Sequence, residues 1–281
     1  MRMSASTEPD LGDDTASRRL PAGRKVELAA YVAEVGQVTV ARLAKRFDVS
    51  ADTIRRDLDQ LDAEGVLIRT HGGAVSLSAF PRPDSGLEVR SRVQASAKDQ
   101  IGALAASLVP NGASLLINAG TTTLALVRHL RDHRDLTIAT NSLAIPAEIS
   151  PKVFRDLYLF GGAVRPAAQA TVGPVSFPVM PSRGEVDIRC DIALICVGAV
   201  SHESGYSTSN LGEAAMMNEM MSRASQVAVL ADSTKFGRRL FAQVAELGRA
   251  DWLVTDTMPA EDLAEALRVA GVELVTPKDD A

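Results

Sequence analysis

The first part of the chain carries three apolar stripes at helical spacing. Residues three or four positions apart lie on one face of an α-helix, so each stripe predicts an amphipathic helix. The three segments follow one another within residues 24–64. Their inward positions are Leu28, Val32 and Val35 in the first segment, Val40, Leu43, Ala44 and Phe47 in the second, and Ile54, Leu58 and Leu61 in the third.

Small and polar residues separate these helices. Gly36 follows the first stripe, and Thr39 can cap the second helix. After a turn at Asp48-Val49, Ser50 is well placed to cap the third helix, which Gly65 can end. Two helices joined by a short turn, the second with a polar outer face, form a helix-turn-helix, which places its second helix in the major groove of DNA.

The outer face of the third helix carries adjacent arginines, which can pair with guanine or contact phosphate. The run VLIRTHGGAVSL predicts a hairpin, or wing, in which Gly72 and Gly73 supply positive φ. A solvated charged helix followed by an ordinary hairpin is the alternative, and it is favoured for any arginine taken alone. The ordered set favours DNA binding, and the predicted contact residues are Ser50, Thr53, Arg55, Arg56, Gln60, Arg69, His71, Gly72 and Gly73.

Beyond residue 110, short apolar runs alternate with helical patterns over 121–131, 211–224 and 260–270. Such alternation is typical of α/β domains with a mostly parallel, buried sheet. The predicted fold is therefore an N-terminal winged helix-turn-helix domain followed by a mostly parallel-sheet α/β effector domain. The predicted strands are SLLIN, LTIAT, DLYLF, DIALICV, QVAVLA, DWLVT and VELV.

Glycines and hydrogen-bond donors follow four of these strands. Ligands of parallel α/β sheets bind beyond the carboxyl ends of the strands, where glycine, helix N-termini and threonine hydroxyls can receive an anion. A glycine–threonine turn alone more often only begins a helix, and a lone lysine more often lies on the surface. Together they predict a pocket for a small phosphorylated ligand, lined by Gly120, Thr121, Thr122, Asn141, Gly161, Gly162 and Lys235.

Composition and charge limit the alternatives. The chain of 281 residues has no run of 18 apolar residues, so no membrane span is expected. Its net charge of −5 hides a mildly basic segment, since residues 18–78 hold ten Lys and Arg against eight Asp and Glu. Cys190 and Cys196 lie in or near an apolar run, which predicts core packing and fits a cytoplasmic protein.

Four segments are predicted from these changes in composition. They are a disordered tail at 1–17, rich in small and acidic residues, the DNA-binding domain at 18–75, a linker at 76–97 that contains two prolines, and the effector-binding and oligomerisation domain at 98–281.

The segment TIRRDLDQLDAEGVLIRTHGGAV closely resembles the winged-helix segment of the DeoR family of bacterial transcriptional regulators. The resemblance covers residues 24–75 without a gap and implies that Ser50, Thr53, Arg55 and Arg56 belong to the recognition element. It extends over roughly residues 88–277 through NAGTTT, ATNS, LFGG, DIALICVGAV and ADSTKFG. The family's effector domain resembles the sugar-phosphate isomerase fold and senses phosphorylated sugars or related metabolites.

One position departs from the family's pattern. Asn118 stands where the family usually has an aspartate, and the resemblance places it among the effector-binding residues. An amide keeps a hydrogen-bond acceptor, adds a donor and loses a negative charge, so the contact to a sugar hydroxyl changes.

An isomerase with an appended DNA-binding domain is the alternative function. Isomerisation needs a carboxylate base and an acid near the sugar carbonyl, and the candidates are Asp191, Glu203, Glu213 and Lys235. No motif pairs two carboxylates, so we expect a regulator and not an enzyme. The histidines are scattered, and His129 and His133, although i,i+4 on a predicted helix, lie among arginines. No nucleotide motif occurs, and therefore no metal or cofactor is expected.

The DNA-binding hypothesis also requires a second chain. One recognition helix reads a short half-site, and helix-turn-helix proteins commonly pair to read two. We therefore expect a homodimer or homotetramer on a double-stranded DNA operator. Because most members of the DeoR family are repressors, the resemblance implies that this protein is a repressor. The methionine-rich helix at 216–221 can be core or subunit interface, and core is favoured.

Overall fold

The computed structural model describes residues 21–78, 86–178, 185–186 and 188–278. Two compact units divide the chain, an N-terminal unit (Met1–Pro81) and a C-terminal unit (Arg82–Ala281). The predicted disordered tail at 1–17 lies outside the described residues. Within the described residues, no helix has the length and apolar character that crossing a membrane requires.

The N-terminal unit contains three helices and a small antiparallel sheet. The elements are α1 (Pro21–Val35), β1 (Gln37–Thr39), α2 (Val40–Phe47), α3 (Ala51–Ala63), β2 (Leu67–Thr70) and β3 (Gly73–Ser76). The strands pair in the order β1-β3-β2, so the hairpin of β2 and β3 is extended by the short strand that precedes the second helix.

The predicted caps of this unit are confirmed. The Thr39 hydroxyl accepts a hydrogen bond from the backbone N–H of Arg42 at 3.3 Å, and the Ser50 hydroxyl accepts one from the N–H of Thr53 at 3.1 Å. The three predicted stripes meet in one core, with Val35, Ala44 and Phe47 only partly buried at its edge. Its buried members include Leu28, Val32, Val40, Leu43, Ile54, Leu58 and Leu61.

The wing is a hairpin as predicted, but the predicted positive φ at Gly72 and Gly73 is wrong. The turn consists of His71 and Gly72, and neither has a positive φ, so it is not of the mirror-image types I′ or II′. Gly73 is required for a different reason. Its backbone pairs with Thr39 of β1, and a Cβ there would lie 1.9 Å from the carbonyl oxygen of Val38.

The C-terminal unit is built on a seven-stranded sheet in which every pair of neighbouring strands is parallel. All seven predicted strands are present in it. In chain order they are β4 (Ser114–Ile117), β5 (Leu136–Thr140), β6 (Phe154–Leu159), β11 (Cys190–Cys196), β14 (Ala224–Leu230), β16 (Trp252–Val254) and β17 (Glu273–Val275).

The helices of this unit cover both faces of the sheet. The helices are α4 (Leu87–Arg92), α5 (Ala95–Ser107), α6 (Thr121–His129), α7 (Ile145–Glu148), α8 (Leu211–Ser222) and α9 (Glu261–Val269). Alternate residues of each strand point to opposite faces. Thus Leu115 and Ile117 join the core beneath α5 and α6, whereas Leu116 joins the core beneath α8 and α9.

The strand order β17-β16-β14-β11-β4-β5-β6 reverses direction between β4 and β11. From β4 the chain moves outward through β5 to β6, and then it returns to β11 and moves the other way. The carboxyl ends of β4 and β11 therefore form a topological switch point, where open α/β sheets bind ligands.

Short antiparallel strands were not predicted. They form a three-stranded sheet, β12 (Ala199–Ser201), β13 (Gly205–Thr208) and β15 (Ala242–Ala245), and two hairpins, β7 (Ala163–Arg165) with β8 (Ala170–Val172) and β9 (Phe177–Pro178) with β10 (Glu185–Val186).

Three further expectations can be compared with the fold. The range 76–97, predicted as linker, includes α4 and the start of α5, while residues 79–85 lie outside the described residues. The helix expected over 121–131 ends at His129, so His133 lies beyond it, with Nε2 3.2 Å from the carbonyl oxygen of Ala106. The methionine-rich helix is core, as favoured, because Met216, Met217, Met220 and Met221 are buried.

Candidate functional site

The recognition helix α3 holds four aspartates and two arginines, although it is expected to meet DNA. One of the aspartates is directed into the protein. Asp57 is buried and accepts from Arg24 of α1, with Nε to Oδ2 at 2.6 Å and Nη2 to Oδ1 at 3.2 Å. This bidentate pair fixes α3 against α1, and the sequence interpretation missed it.

A second pair joins α3 to the wing. The Arg69 Nε lies 2.5 Å from Oδ1 of Asp59, and the Arg69 backbone N–H donates to Oδ1 of Asp62 at 3.0 Å. Arg69, predicted to contact DNA, thus also anchors the hairpin to the recognition helix. Asp59 is thus paired with a cation, and Asp62 accepts a hydrogen bond from the backbone, both within the unit.

The outer face of α3 is exposed as predicted. Arg56 is exposed and has no hydrogen bond or ion pair within the described residues. Arg55 pairs with Asp52, one turn before it, at 2.5 Å. The amide of Gln60 donates to Glu64 at 2.9 Å. These side chains can reorganise on a DNA surface without disturbing the core.

The remaining predicted DNA residues fall into two groups. Ser50 and Thr53 form the N-terminal cap, with their hydroxyl oxygens 2.9 Å apart, so they are held at the start of the recognition helix. His71 and Gly72 form the exposed turn of the wing, and Gly73 lies buried in β3.

The switch point of the C-terminal unit places the start of α6 beside β11. Gly120 precedes α6 and provides no side-chain cap, and the first N–H groups of any α-helix lack partners within the helix. A Cβ on Gly120 would lie 2.0 Å from Sγ of Cys196, so only glycine allows this approach. Thr121 is partly exposed there, Thr122 is buried, and neither hydroxyl has a hydrogen bond within the described residues.

Asn118 and Asn141 hold the strand ends together. The Asn118 amide donates to the carbonyl of Cys196 and accepts from its N–H, both at 2.8 Å. The Asn141 amide accepts from the N–H of Ala119 and donates to the carbonyl of Thr171, both at 2.7 Å. Both asparagines are buried. Their geometry gives each a structural role at the crevice, and a contact of either with a ligand stays a prediction.

A buried lysine from α5 reaches this crevice. Lys98 is 4% exposed, and its Nζ donates to the carbonyls of Arg90 and Val93, both at 2.5 Å. The pKa of Lys98 is lowered to about 8, chiefly by burial, with Asp232 raising it and the charges of Lys235 and Arg90 contributing to the decrease. Lys98 has no carboxylate within salt-bridge distance among the described residues.

Two further cations surround the same crevice. Nζ of Lys235 lies 3.8 Å from Oδ2 of Asp232, a residue that follows β14. Burial lowers the pKa of Lys235, while the carboxylate of Asp232 acts to raise it. Burial also lowers the pKa of Arg90, whose Nε is buried without a hydrogen-bond partner. Oδ2 of Asp232 likewise lacks a hydrogen-bond partner. Asp232 and Glu213 are the carboxylates that act on these cations, and Arg165 adds a further positive charge, so a positive excess remains beside the start of α6.

The predicted pair Gly161 and Gly162 lies at the end of β6, next to the hairpin of β7 and β8. Gly161 has a φ of 108°, and a Cβ there would lie 2.4 Å from the hydroxyl oxygen of Thr171. Gly162 is exposed and packs near Gly173. These contacts account for the glycines through packing and turn geometry, and their role toward a ligand stays a prediction.

Arg90 and Lys98 were not predicted as crevice residues. The predicted pocket residues follow strands, whereas Arg90 and Lys98 lie on helices before the first strand of the sheet. A signal for Lys98 was available. It occupies the same helical stripe as Ile101 and Ala105, which are both buried, and a lysine on such a stripe must find polar partners inside.

Comparison with known proteins matches both units. The DeoR-like helix-turn-helix domain matches residues 24–80, and the DeoR C terminal sensor domain matches residues 93–257. The HTH-type transcriptional repressor GlcR of Bacillus subtilis is 32% identical over 92% of this chain and 96% of its own length. The glycerol-3-phosphate regulon repressor of Escherichia coli is 26% identical over 86% and 94%.

Similarity to solved structures is weaker. Ribose 5-phosphate isomerase A of Methanocaldococcus jannaschii is 15% identical and has a TM-score of 0.33 over 52% of this chain and 56% of its own. No conclusion about function follows from that similarity.

A winged helix-turn-helix unit together with a sensor domain defines a DNA-binding transcriptional regulator. The chain belongs to the DeoR family of such regulators. The resemblance stated from the motifs is thereby confirmed across both units.

Proposed function

We propose that the protein is a repressor whose affinity for a double-stranded DNA operator changes when a phosphorylated sugar or related metabolite binds the switch-point crevice. The names of the relatives support this proposal, since one is a transcriptional repressor and another is the repressor of a glycerol-3-phosphate regulon. The α3 face and the wing contact the operator, and the crevice holds the effector.

The positive excess in the crevice carries the proposal. A buried charge without a partner is costly, so buried cations are normally paired with anions. Neither Lys98 nor Arg90 has a carboxylate within ion-pair distance among the described residues, and Asp232 lies within that distance of Lys235. A phosphate monoester brings about two negative charges at neutral pH, which matches this excess.

Separate groups can then hold the two ends of the ligand. The free N–H groups at the start of α6, together with the Thr121 hydroxyl, suit a phosphate. Oδ2 of Asp232, which accepts no hydrogen bond within the described residues, can accept one from a sugar hydroxyl. Gly120 leaves space for the approach, while Asn118 and Asn141 keep the strand ends in register.

The function requires a second chain and no catalysis. Two half-sites need two recognition helices, so the protein acts as a homodimer or homotetramer in the cytoplasm. The carboxylate of Asp232 has no second carboxylate beside it among its described contacts, and incubation with pentose or hexose phosphates should return them unchanged.

Operator release provides the test. Genomic fragments selected by the purified protein supply the DNA, and affinity is then measured with a panel of sugar phosphates and their unphosphorylated parents. A phosphorylated compound should change affinity by about 5- to 150-fold, the usual range for coupled sites, while its parent has no effect. An equal response to the unphosphorylated parent would contradict the phosphate assignment. The absence of any selected DNA would contradict the regulator itself.

A further inference from the structure

Among the described residues, Asp52 is the aspartate of the recognition helix that pairs only within the helix itself. Asp57 pairs with Arg24, Asp59 with Arg69, and Asp62 accepts a backbone hydrogen bond in the wing. Asp52 lies in the first turn of α3, where the helix dipole favours a carboxylate, and is 77% exposed along its side chain. On a surface that approaches phosphates, such a carboxylate is repelled, so its presence there suggests a role that compensates for the repulsion.

The contact with Arg55 indicates what the role of Asp52 is. Nη1 of Arg55 donates to Oδ1 of Asp52 at 2.5 Å, one helical turn away, and the Arg55 side chain is 51% exposed. In water such a pair contributes little, because solvent screens it and two mobile side chains must be ordered. Beneath a DNA duplex water is displaced, and the same pair becomes electrostatically stronger.

We propose that Asp52 is a specificity-determining residue of the DNA interface, which holds the guanidinium of Arg55 in a single orientation for bidentate recognition of guanine. A guanidinium has five N–H donors, so one edge can bond Asp52 while another presents two donors to N7 and O6 of guanine. Asp52 acts through Arg55 and is therefore a positioning residue.

The pair also selects against contacts that do not specify sequence. An unrestrained arginine can turn to a phosphate and bind any sequence, whereas an arginine held by a carboxylate gives up that option. Asp52 additionally repels phosphate, so it lowers affinity for random DNA. Arg56, which has no such partner in the described residues, remains available for phosphate contact.

The test compares base preferences among variants of the full chain. Selection from a randomised DNA library, followed by binding measurements at fixed salt, is carried out with the wild type, Asp52→Ala, Arg55→Ala and the double variant. Glu34→Ala is the control, because Glu34 is an exposed carboxylate of α1 without a partner in the described residues. It removes the same charge without touching α3.

The expected result is a loss of preference at the operator position that Arg55 reads. Arg55→Ala should reduce discrimination for guanine there by about 5- to 150-fold. Asp52→Ala should reduce it at that same position, bind random DNA more tightly, and add no further loss of discrimination in the Arg55→Ala background. Glu34→Ala should retain the full preference.

Three outcomes overturn the proposal. In the first, Asp52→Ala keeps the wild-type preference at every position that Arg55→Ala alters. In the second, Asp52→Ala changes preference in the Arg55→Ala background, which would mean that Asp52 contacts a base itself. In the third, Glu34→Ala produces the same loss as Asp52→Ala, so that net charge alone is responsible. The proposal rests on operator binding, and a wild type that selects no sequence would instead refute the proposed function.

Discussion

Arg24 and Asp57 form a buried, bidentate ion pair that joins the first helix of the DNA-binding unit to the middle of its recognition helix. Asp57 follows directly after Arg55 and Arg56, so the residue that anchors the helix adjoins those that face outward. Hydrogen bonding to Asp57 raises the pKa of Arg24 against the opposing effect of burial. The angle at which α3 is presented therefore depends on this contact.

Asp57→Ala should strongly destabilise the N-terminal unit. It leaves the Arg24 guanidinium buried without its counter-ion, and breaking one partner of a buried pair costs about 3–5 kcal/mol. Urea unfolding of the full chain measures the loss. Glu34→Ala, which removes an exposed carboxylate from the same unit, should remain within about 0.5 kcal/mol of the wild type. Similar stabilities for both variants would show that the pair does not hold the helix.

Gly73→Ala should disrupt the wing, whereas Gly72→Ala should be tolerated. A Cβ on Gly73 would collide with the backbone of Val38, while a Cβ on Gly72 meets nothing within 4 Å and does not require positive φ. Thermal unfolding and operator affinity compare the two variants directly. Comparable losses in both would contradict the assigned register of β3 against β1.

The periodicity of apolar residues predicted most of the architecture, because a buried face of a helix or strand places apolar residues at regular intervals in the sequence. The three apolar stripes of the N-terminal segment correspond to its core helices, and the seven apolar runs correspond to the strands of the parallel sheet. The short antiparallel strands were missed, since three or four residues such as those of β12 carry too little pattern. The conformation of the wing's turn was predicted wrongly because glycine is required at Gly73 by close packing against the neighbouring strand β1. This is a tertiary contact that local sequence does not reveal.

The site was less predictable than the fold. Residues that follow strands, such as Gly120 and Lys235, can be found from topology alone, because carboxyl ends of parallel strands share one edge of the sheet. Lys98 and Arg90 come from helices that precede the sheet, and only folding brings their charges to that edge. The pairing of Arg24 with Asp57 spans 33 residues and carries no periodic signal.

Thr121→Val and Lys235→Ala should separate DNA binding from ligand response. Neither residue belongs to the DNA-binding unit, so operator affinity without ligand should stay near the wild-type value. The phosphate loses a hydroxyl donor in one variant and a cation in the other, and both should blunt the change in affinity caused by the active sugar phosphate. Operator titrations with and without ligand measure this. An undiminished response in both would place the effector elsewhere.

Gly120→Ala should impair the C-terminal unit, and Cys196→Ala should rescue it. The added Cβ would meet Sγ of Cys196 at 2.0 Å, whereas the Cβ of Cys196 is 3.6 Å away, an ordinary contact. Removing the sulfur therefore restores the space. Unfolding midpoints of the two single variants and the double variant decide the point. If the double variant were no more stable than Gly120→Ala, the clash with Cys196 would not be the cause.

The pKa of Lys98 predicts how stability changes with pH. Burial lowers this pKa to about 8, whereas a lysine in the unfolded chain keeps its proton to about pH 10.4. Between these values the unfolded state binds more protons than the folded state, so stability rises with pH. The cost of burying the charged ammonium is present in full below pH 8 and is relieved as the pH approaches 10.4.

Lys98→Met removes this titration and should therefore flatten that part of the pH dependence. Relative to Lys98→Met, the wild type should gain about 2–4 kcal/mol of unfolding free energy between pH 7.5 and 10, because one pKa unit corresponds to about 1.4 kcal/mol. Urea unfolding across this range measures the difference, in which the titrations common to both proteins cancel. Lys152→Met, at an exposed position, should follow the wild type throughout. A constant difference between the wild type and Lys98→Met would mean that Lys98 keeps an ordinary pKa, and that the crevice is more open to water than its burial indicates.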